Sequence, residues 1–503
     1  MNYPILARYL GYFFIATGIS MIPSLGWAVY FGEGIIFGNG NAFEAFLESI
    51  LASIILGLVL VFMGRKAQNK FFQREALGLV GIGWIVGAAL GALPYVFSGT
   101  CGPVDAYFES MSGYTTTGAS IFATEDYAQV QRSIMFWRSF THWLGGMGII
   151  VLFIAVLPYL GGGVKQLFKS ASPGPDPRVL NPRVKTTAML LWKLYLGLTV
   201  LQTVLLMLAG QSFFEVLCHT FGTLATGGFS TRPASIGELN SLPVELIILL
   251  FMVLAGTNFG LYVHLISGRL SSVWKDAEWR VYIAIMIAAT VLIAWNLSGN
   301  ASAQPVTSSE STAAPTSTGA ALRLASFQVV SVMTTTGYVT ADFDTWPEFS
   351  RYLLLLLMFV GGCAGSTGGG IKVVRWIMLA KMAYWRVEAT FRPKTIRVLR
   401  VGGEVVDESI QKTVYGFYVL FSLWFIVATL AMAAMGLPIV SAISAVAATL
   451  NNIGPGLELV GPMQNFAGIP AAGKLLLSLC MVLGRLELFT ICVIFIPSFW
   501  RSR

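Results

Sequence analysis

Four stretches decide how this chain is read: Tyr114-Thr115-Thr116-Thr117-Gly118, Leu224-Ala225-Thr226-Gly227-Gly228, Thr334-Thr335-Thr336-Gly337-Tyr338 and Asn451-Asn452-Ile453-Gly454-Pro455. Each closes an apolar, helix-like segment too short to cross a bilayer. Gly118, Gly227, Gly337 and Gly454 are 109, 110 and 117 residues apart. A unit of about 110 residues therefore recurs four times, and self-similarity at a fixed period outranks any single motif.

Composition places the repeat in a membrane. Of 503 residues, 55% are hydrophobic and only 11% charged, with a mean hydropathy of +0.72, which excludes a soluble multidomain protein. Apolar runs of spanning length fall at 5–31, 43–64, 76–98, 134–160, 187–210, 243–267, 281–298, 351–385 (interrupted), 413–436 and 474–499. They predict ten crossings, two outside the repeat and eight within it. The loops at 64–75, 161–186, 268–280 and 386–412 are rich in lysine and arginine, whereas the opposite loops hold only Arg132, Arg232, Arg323, Arg351 and Lys474. By the positive-inside rule the basic loops and both termini face the cytoplasm, so the formal charge of +8 calls for no nucleic acid. The first span is long and lacks a small-residue cleavage site, which reads as an anchor and not a removed signal peptide. Five cysteines form no CxxC pair and no even outer set, so neither a disulfide framework nor a zinc site is expected. Residues 299–320, rich in Ser, Thr, Ala and Pro, read as a flexible outer insertion.

One repeat is built as follows. Residues 76–98 span, a half-length helix runs from Asp105 to Tyr114, and 134–160 span back. A helix that stops inside the membrane must return through extended backbone, tolerated there only where it lines a watery cavity. The Thr-Thr-Thr-Gly run is thus expected to line a pore, its glycine supplying a backbone conformation that lets carbonyls face one way. Rings of such carbonyls replace the hydration shell of a monovalent cation. Short helices at 212–223, 321–333 and 438–450 repeat the arrangement, and each return helix carries glycine about 24 to 30 residues past its filter glycine: Gly145 and Gly146, Gly256, Gly361 and Gly362, Gly484. The expected fold is an all-α polytopic membrane protein of four span, pore-helix, filter, span repeats around one pseudo-fourfold pore. Its divisions are an N-terminal two-span extension over 1–70 and pore repeats over 71–165, 180–272, 278–400 and 405–503.

Span, pore helix, filter and span repeated four times in one polypeptide resembles the superfamily of K+ transporters. Ser112-Gly113-Tyr114-Thr115-Thr116-Thr117-Gly118, Thr223 through Thr231 and Asn451-Asn452-Ile453-Gly454-Pro455-Gly456 are similar to filters of bacterial Trk-type potassium uptake proteins. The extra N-terminal pair of spans favours the TrkH branch over the shorter Ktr branch. The resemblance implies K+-selective, channel-like uptake across the bacterial inner membrane, with K+ as transported ion and no organic cofactor. It further implies a homodimer in the lipid bilayer and a cytosolic ring of TrkA-like nucleotide-binding regulators. K+ is expected at Thr115, Thr116, Thr117 and Gly118; Leu224, Ala225, Thr226 and Gly227; Thr334, Thr335, Thr336 and Gly337; and Asn451, Asn452, Ile453 and Gly454. In related plant proteins a serine in the first filter goes with Na+ permeation, so Gly118 argues for K+.

Two features are expected to gate. The second span of the third repeat breaks at Gly361-Gly362-Cys363-Ala364-Gly365-Ser366-Thr367-Gly368-Gly369-Gly370 and resumes after it. At about 1 kcal/mol per glycine relative to alanine, this stretch is poor helix, and an intramembrane loop below the filter is predicted. A tight helix crossing through small residues is the alternative; a phosphate loop is not, since no Gly-Lys-Ser/Thr follows. Arg485 sits mid-span, where an arginine costs roughly 2.5 to 3.5 kcal/mol and must face a polar interior. The resemblance places it beneath the filter as a barrier to cations, against the alternative of a structural ion pair. Glu109, Glu215, Asp105 and Glu458 either concentrate cations at the mouth or cap and pack, and His142, His219 and His264 share no metal-ligand spacing. A coupled transporter would want inverted halves and midplane carboxylates. A membrane enzyme would want a His-Glu-x-x-His or Gly-x-Ser-x-Gly motif, and the chain has neither.

Overall fold

The computed structural model describes residues 1–33, 41–66, 73–156, 180–299, 317–393 and 398–501. Most of the Ser/Thr-rich insertion, 300–316, and parts of three basic loops, 67–72, 161–179 and 394–397, lie outside the described residues.

The architecture is all-α and polytopic. Asn2 caps the first helix, its side chain accepting from the Ile5 amide at 3.3 Å, with Pro4 in the first turn, a position where proline loses no helical hydrogen bond. The helices Tyr3–Ser20 and Ile22–Tyr30 together make a 28-residue span, and Ala42–Met63 returns. The pair packs backbone on backbone because glycine stands at the crossing: a Cβ on Gly11 would sit 2.6 Å from the Gly57 carbonyl oxygen. Only 28% of the most apolar window of Ala42–Met63 is buried, and Ile55, Leu58 and Phe62 point outward. In water such a face is costly; against lipid it is the preferred state.

Four repeats of span, pore helix, extended segment and return helix follow. The entering spans are Gln73–Phe97, Leu180–Leu208, Ala277–Leu297 and Glu408–Ala434. The pore helices are Pro103–Tyr114, Phe213–Leu224, Thr318–Met333 and Ile439–Leu450, within a few residues of the ranges expected from sequence. Return helices pack on the pore helix of the following repeat: Arg132–Val156 on Phe213–Leu224, Leu242–Ala255 on Thr318–Met333, and Ala471–Arg485 on Pro103–Tyr114. The last contact closes the circle, giving one pseudo-fourfold assembly from one chain.

The return helices are less alike than the sequence suggests. Arg132–Val156 runs 25 residues unbroken. Leu242–Ala255 and Phe259–Ile266 meet at 97°, Glu348–Leu357 and Val373–Phe391 are separated by residues 358–372, and Ala471–Arg485 stops at Leu486 before Leu488–Cys492. Sequence pointed to a break in the third repeat alone; the second and fourth break as well. Among the described residues, the β-structure is a small hairpin pairing Arg400–Val401 with Glu404–Val405 around Gly402 and Gly403, packed through Leu399 and Val401 near Met378 and Met382.

Candidate functional site

Each pore helix ends in the same pair of backbone hydrogen bonds. In the first repeat the Thr116 amide donates to the Gly113 carbonyl at 3.0 Å and the Thr117 amide to Ser112 at 2.9 Å. The counterparts are Thr226 to Thr223 and Gly227 to Gly222, Thr335 to Val332 and Thr336 to Ser331, and Asn452 to Thr449 and Ile453 to Ala448, all between 2.8 and 3.2 Å. This is the Schellman helix end, whose left-handed position is usually glycine. Here it holds Thr116, Thr226, Thr335 and Asn452, with φ of 51°, 55°, 58° and 56°. A β-branched residue in that region costs roughly 1–2 kcal/mol and persists only where its surroundings over-determine it. Hydroxyl pairs brace two of the four segments: Thr115 with Thr117 at 2.8 Å and Thr334 with Thr336 at 2.7 Å. The Thr226 hydroxyl instead donates to the Thr367 carbonyl at 2.9 Å.

The second positive φ of each segment falls two residues on, at Gly118 (81°), Gly228 (79°), Gly337 (79°) and Gly454 (106°). The alignment of the second repeat therefore moves by one. Gly228, not Gly227, is the counterpart of the other three, and Leu224 ends the pore helix as Tyr114 does. The matched glycines are 110, 109 and 117 residues apart. In sequence the Gly-Gly pair is ambiguous; hydrogen bonding and φ resolve it. These glycines also form a closed ring. A side chain on Gly118 would strike the carbonyl oxygen of Gly227, one on Gly228 that of Thr336, and one on Gly337 that of Ile453, while a Cβ on Gly454 would lie 2.8 Å from that of Thr117. Each segment thus leaves its neighbour no room for more than a hydrogen.

All four glycines line one cavity on the side where the pore helices begin. Its wall is stitched between successive repeats: Arg138 to the Ser230 carbonyl at 2.8 Å, the Gly237 amide to Val339 at 3.0 Å, the Glu458 amide to the Asp344 carboxylate at 2.9 Å, and the Phe466 amide to Ser120 at 2.8 Å. Three of the four acids noted in the sequence are neutralised here. Glu109 is buried against Arg138 at 2.5 Å, with Phe229 3.6 Å from the guanidinium; Glu215 pairs with Arg232 at 2.5 Å; Asp105 pairs with Lys474. Glu458 accepts from the Ser441 hydroxyl at 2.7 Å. Arg232 lies outside the spans, and though its partial desolvation opposes the charge, the neighbouring Glu215 and Glu238 hold its pKa above the ordinary value. Among the described residues no group of three metal-ligating side chains exists, and His142 and His219 are buried separately, on Phe229 and beside the Ser230 hydroxyl.

On the other side of the ring lies the glycine-rich stretch. Its neck is closed by the Gly361 amide on Ile371 at 3.0 Å and the Val373 amide on Gly362 at 3.3 Å. Its tip touches three pore repeats: the Thr367 hydroxyl donates to Leu224 at 2.9 Å, the Gly369 amide to the Thr335 hydroxyl at 2.6 Å, and a Cβ on Gly369 would meet the Asn451 carbonyl at 2.8 Å. Gly365 and Gly370 take positive φ, the Ser366 hydroxyl closes back on Cys363 at 2.6 Å, and the Gly368 amide donates to that hydroxyl at 3.3 Å. Arg485, 3% exposed, donates to the Thr367 carbonyl at 2.7 Å and the Gly145 carbonyl at 3.4 Å. No ion pair joins it to an acid among the described residues. The stretch and Arg485 share a small cavity with residues that sequence reading passed over: Lys372, whose ammonium donates to the Gly368 carbonyl, and Arg375, paired with Glu487 at 2.6 Å. A lysine two residues past a glycine run inside a span was a signal available in the sequence.

Comparison with known proteins matches the family model described as TrkH, cation transport protein, over residues 42–502. The chain is 38% identical over 510 residues to the Trk system potassium uptake protein TrkH of Escherichia coli (strain K12), covering all of both chains. It is 33% identical over 429 residues to the Trk system potassium uptake protein TrkI of Halomonas elongata, covering 84% of this chain and 83% of that one. Among solved structures, the potassium transporter TrkH from Vibrio parahaemolyticus superposes with a TM-score of 0.87 at 33% identity, over the full length of both chains.

Proposed function

The chain belongs to the TrkH family of cation transport proteins, and on that footing we propose that it takes up K+ through a single-chain pore whose selectivity filter is the ring 115–118, 225–228, 334–337 and 451–454. The observation that carries this reading is the closed contact of each ring glycine with a carbonyl of the next repeat. Backbone that alternates in hand presents consecutive carbonyl dipoles to a common axis, where they substitute for the water around a dehydrated K+. The four pore helices direct their C-terminal ends, each carrying about half a negative charge, at the same axis. The protein is a multi-pass bacterial inner-membrane transport protein and not an enzyme.

In this reading the stretch 361–370 is a gate. Its tip stands against the lower edge of the ring through Thr367 and Gly369, and Arg485 and Lys372 add fixed positive charge beside it, a barrier to a cation in a low-dielectric path. The division into an extension over 1–70 and four pore repeats belongs to the same proposal. So do cytoplasmic termini, supported by the one-sided placement of lysine and arginine, and a homodimer and a TrkA-like regulator ring, which the family resemblance alone implies.

Purified protein in liposomes, loaded with K+ and diluted into Na+ or choline medium containing tracer 86Rb+, tests the reading. Rb+ should enter until it balances the imposed K+ gradient, and equimolar Na+ should neither enter nor compete. Equal Na+ and Rb+ entry would overturn the filter assignment; uptake that requires a proton gradient would replace the channel-like pore with a coupled transporter.

A further inference from the structure

Glu278 belongs to no feature described so far. It lies in the first turn of Ala277–Leu297, whose start is fixed by the Asp276 carboxylate accepting from the Trp279 amide at 2.7 Å. Its side chain is 5% exposed. One oxygen, Oε1, accepts two backbone amides, those of Ala364 and Val374, each at 2.9 Å. The two donors flank Gly365–Gly370 on either side, so a single carboxylate from another helix ties the two limbs of the glycine-rich loop together.

The Val374 contact has a plain physical origin. Val373–Phe391 begins after Lys372, which supplies no side-chain cap, and the first amides of a helix have no partner within it. Buried in a membrane, such a donor must be satisfied by protein. Glu278 does this from outside the helix with a carboxyl oxygen. The Ala364 amide sits in irregular backbone and meets the same need on the same atom. The Cys363 amide on Gly256 at 2.9 Å and the Phe259 amide on Gly365 at 3.0 Å anchor the first limb, and the Gly361–Ile371 and Val373–Gly362 bonds join the limbs at the neck, so Glu278 adds to that neck a tie from outside the loop.

We propose that Glu278 is a positioning residue that clasps the glycine-rich loop in its obstructing conformation, and that releasing either amide from Oε1 frees the loop to leave the pore. The functional half of this inference rests on the gating role proposed above; the clasp itself does not. Glu278→Ala removes the acceptor, Glu278→Asp withdraws it by one methylene, and Glu278→Gln keeps an oxygen able to accept both amides.

Two readouts separate the claims. The first is 86Rb+ uptake in liposomes by wild type, the three variants and a chain lacking Gly368–Gly370. The second is the rate at which a membrane-permeant maleimide modifies Cys363, 1% exposed and adjacent to Ala364, in a background with the other four cysteines replaced. Glu278→Ala should raise both Cys363 modification and Rb+ uptake about threefold or more, with Glu278→Asp between it and wild type and Glu278→Gln within about twofold of wild type, since only it retains the acceptor. If Glu278→Ala does not fold, Glu278→Asp carries the same expectation. Unchanged Cys363 modification in Ala and Asp variants, or Gln behaving as Ala does, overturns the clasp. Should deleting Gly368–Gly370 leave uptake unchanged while Glu278→Ala still exposes Cys363, the gate reading fails and the clasp stands.

Discussion

The four segments of the ring keep their symmetry almost atom for atom, while the four helices that follow them do not. Each ring segment has the same two amide bonds, the same left-handed second residue and the same glycine. Below them one return helix is continuous, one turns through 97°, one opens into a loop and one breaks at Glu487, with φ 57°. On the proposed filter reading, a cation shared by four backbone segments needs four equal sets of dipoles, and each segment packs against the next. On the proposed gate reading, a device that obstructs the axis can occupy it only once, so the repeats would have to differ there. Nor does glycine alone dictate the break: Gly145 and Gly146 lie inside an unbroken helix, where a Cβ on Gly145 would strike the Tyr114 carbonyl. Glycine at this position serves close approach to the ring; Asn258, capping the Gly260 amide at 2.8 Å, and the run 365–370 redirect the chain.

The sharpest challenge to ring symmetry is the Gly227–Gly228 pair. Gly228→Ala should abolish Rb+ uptake, by about a hundredfold or more, because the methyl meets the backbone of Thr336 and φ is positive there. Gly227→Ala should also be impaired, but its methyl meets the imidazole of His142, a side chain that can be removed. His142→Ala should therefore restore Gly227→Ala and not Gly228→Ala, as read by uptake per folded molecule; rescue of both, or of Gly228→Ala alone, would return the register to Gly227. Gly118→Ser, against the Gly227 carbonyl, should widen the ring and lower the preference for Rb+ over Na+ by about tenfold, since selectivity depends on the number and field of the carbonyls. Wild-type preference in that variant would remove the first segment from the filter.

The asymmetric layer is probed by removing Gly368–Gly370. The loop contacts the ring through Thr367 and Gly369, and a shortened loop cannot reach. Basal uptake is expected to rise about tenfold, the equivalent of removing roughly 1.4 kcal/mol from the barrier. Unchanged uptake at normal membrane abundance would make the loop a packing element and leave the ring as the whole machine.

What was legible in the sequence follows the same division. Periodicity located four pore helices to within a few residues because membrane helices advertise their length and the repeat averages out local noise. It slipped by one at Gly227 because adjacent glycines are equivalent in composition and differ only in φ. Glycine enrichment revealed the loop at 361–370, whereas the bends in the second and fourth repeats are marked by single polar residues within apolar runs, Asn258 as a helix cap and Glu487 at positive φ, too slight a signal to separate from an unbroken span. Acids were legible as residues but not in their state: Glu109, Asp105 and Glu215 lie 29, 369 and 17 positions from their partners Arg138, Lys474 and Arg232. Glu278 was invisible for the same reason, since its partners are backbone amides about 90 residues away, a separation no periodic pattern encodes.

Arg485 tests whether the asymmetric layer acts by charge or only by shape. Its insertion cost predicts a polar partner, and the partners are the carbonyls of Thr367 and Gly145, so the arginine ties the last repeat to the loop of the third and the return helix of the first. Removing it has two consequences of different size. A fixed positive charge beside a low-dielectric cation path raises its barrier, but the loop still stands in the way, so uptake by Arg485→Gln should rise only about three- to fivefold, about 0.6–1 kcal/mol of barrier and less than on shortening the loop. Loss of the two carbonyl contacts should lower stability by about 1–3 kcal/mol; an ion pair would have cost about 3–5 kcal/mol when broken. Thermal unfolding in detergent, measured beside Rb+ uptake in vesicles, reads both. A stability loss at the ion-pair level with unaltered uptake per folded molecule would leave Arg485 purely structural. Combining Arg485→Gln with the loop deletion completes the test: if charge acts separately from shape, the double variant conducts better than the deletion alone, and if the arginine merely pins Thr367, it conducts the same.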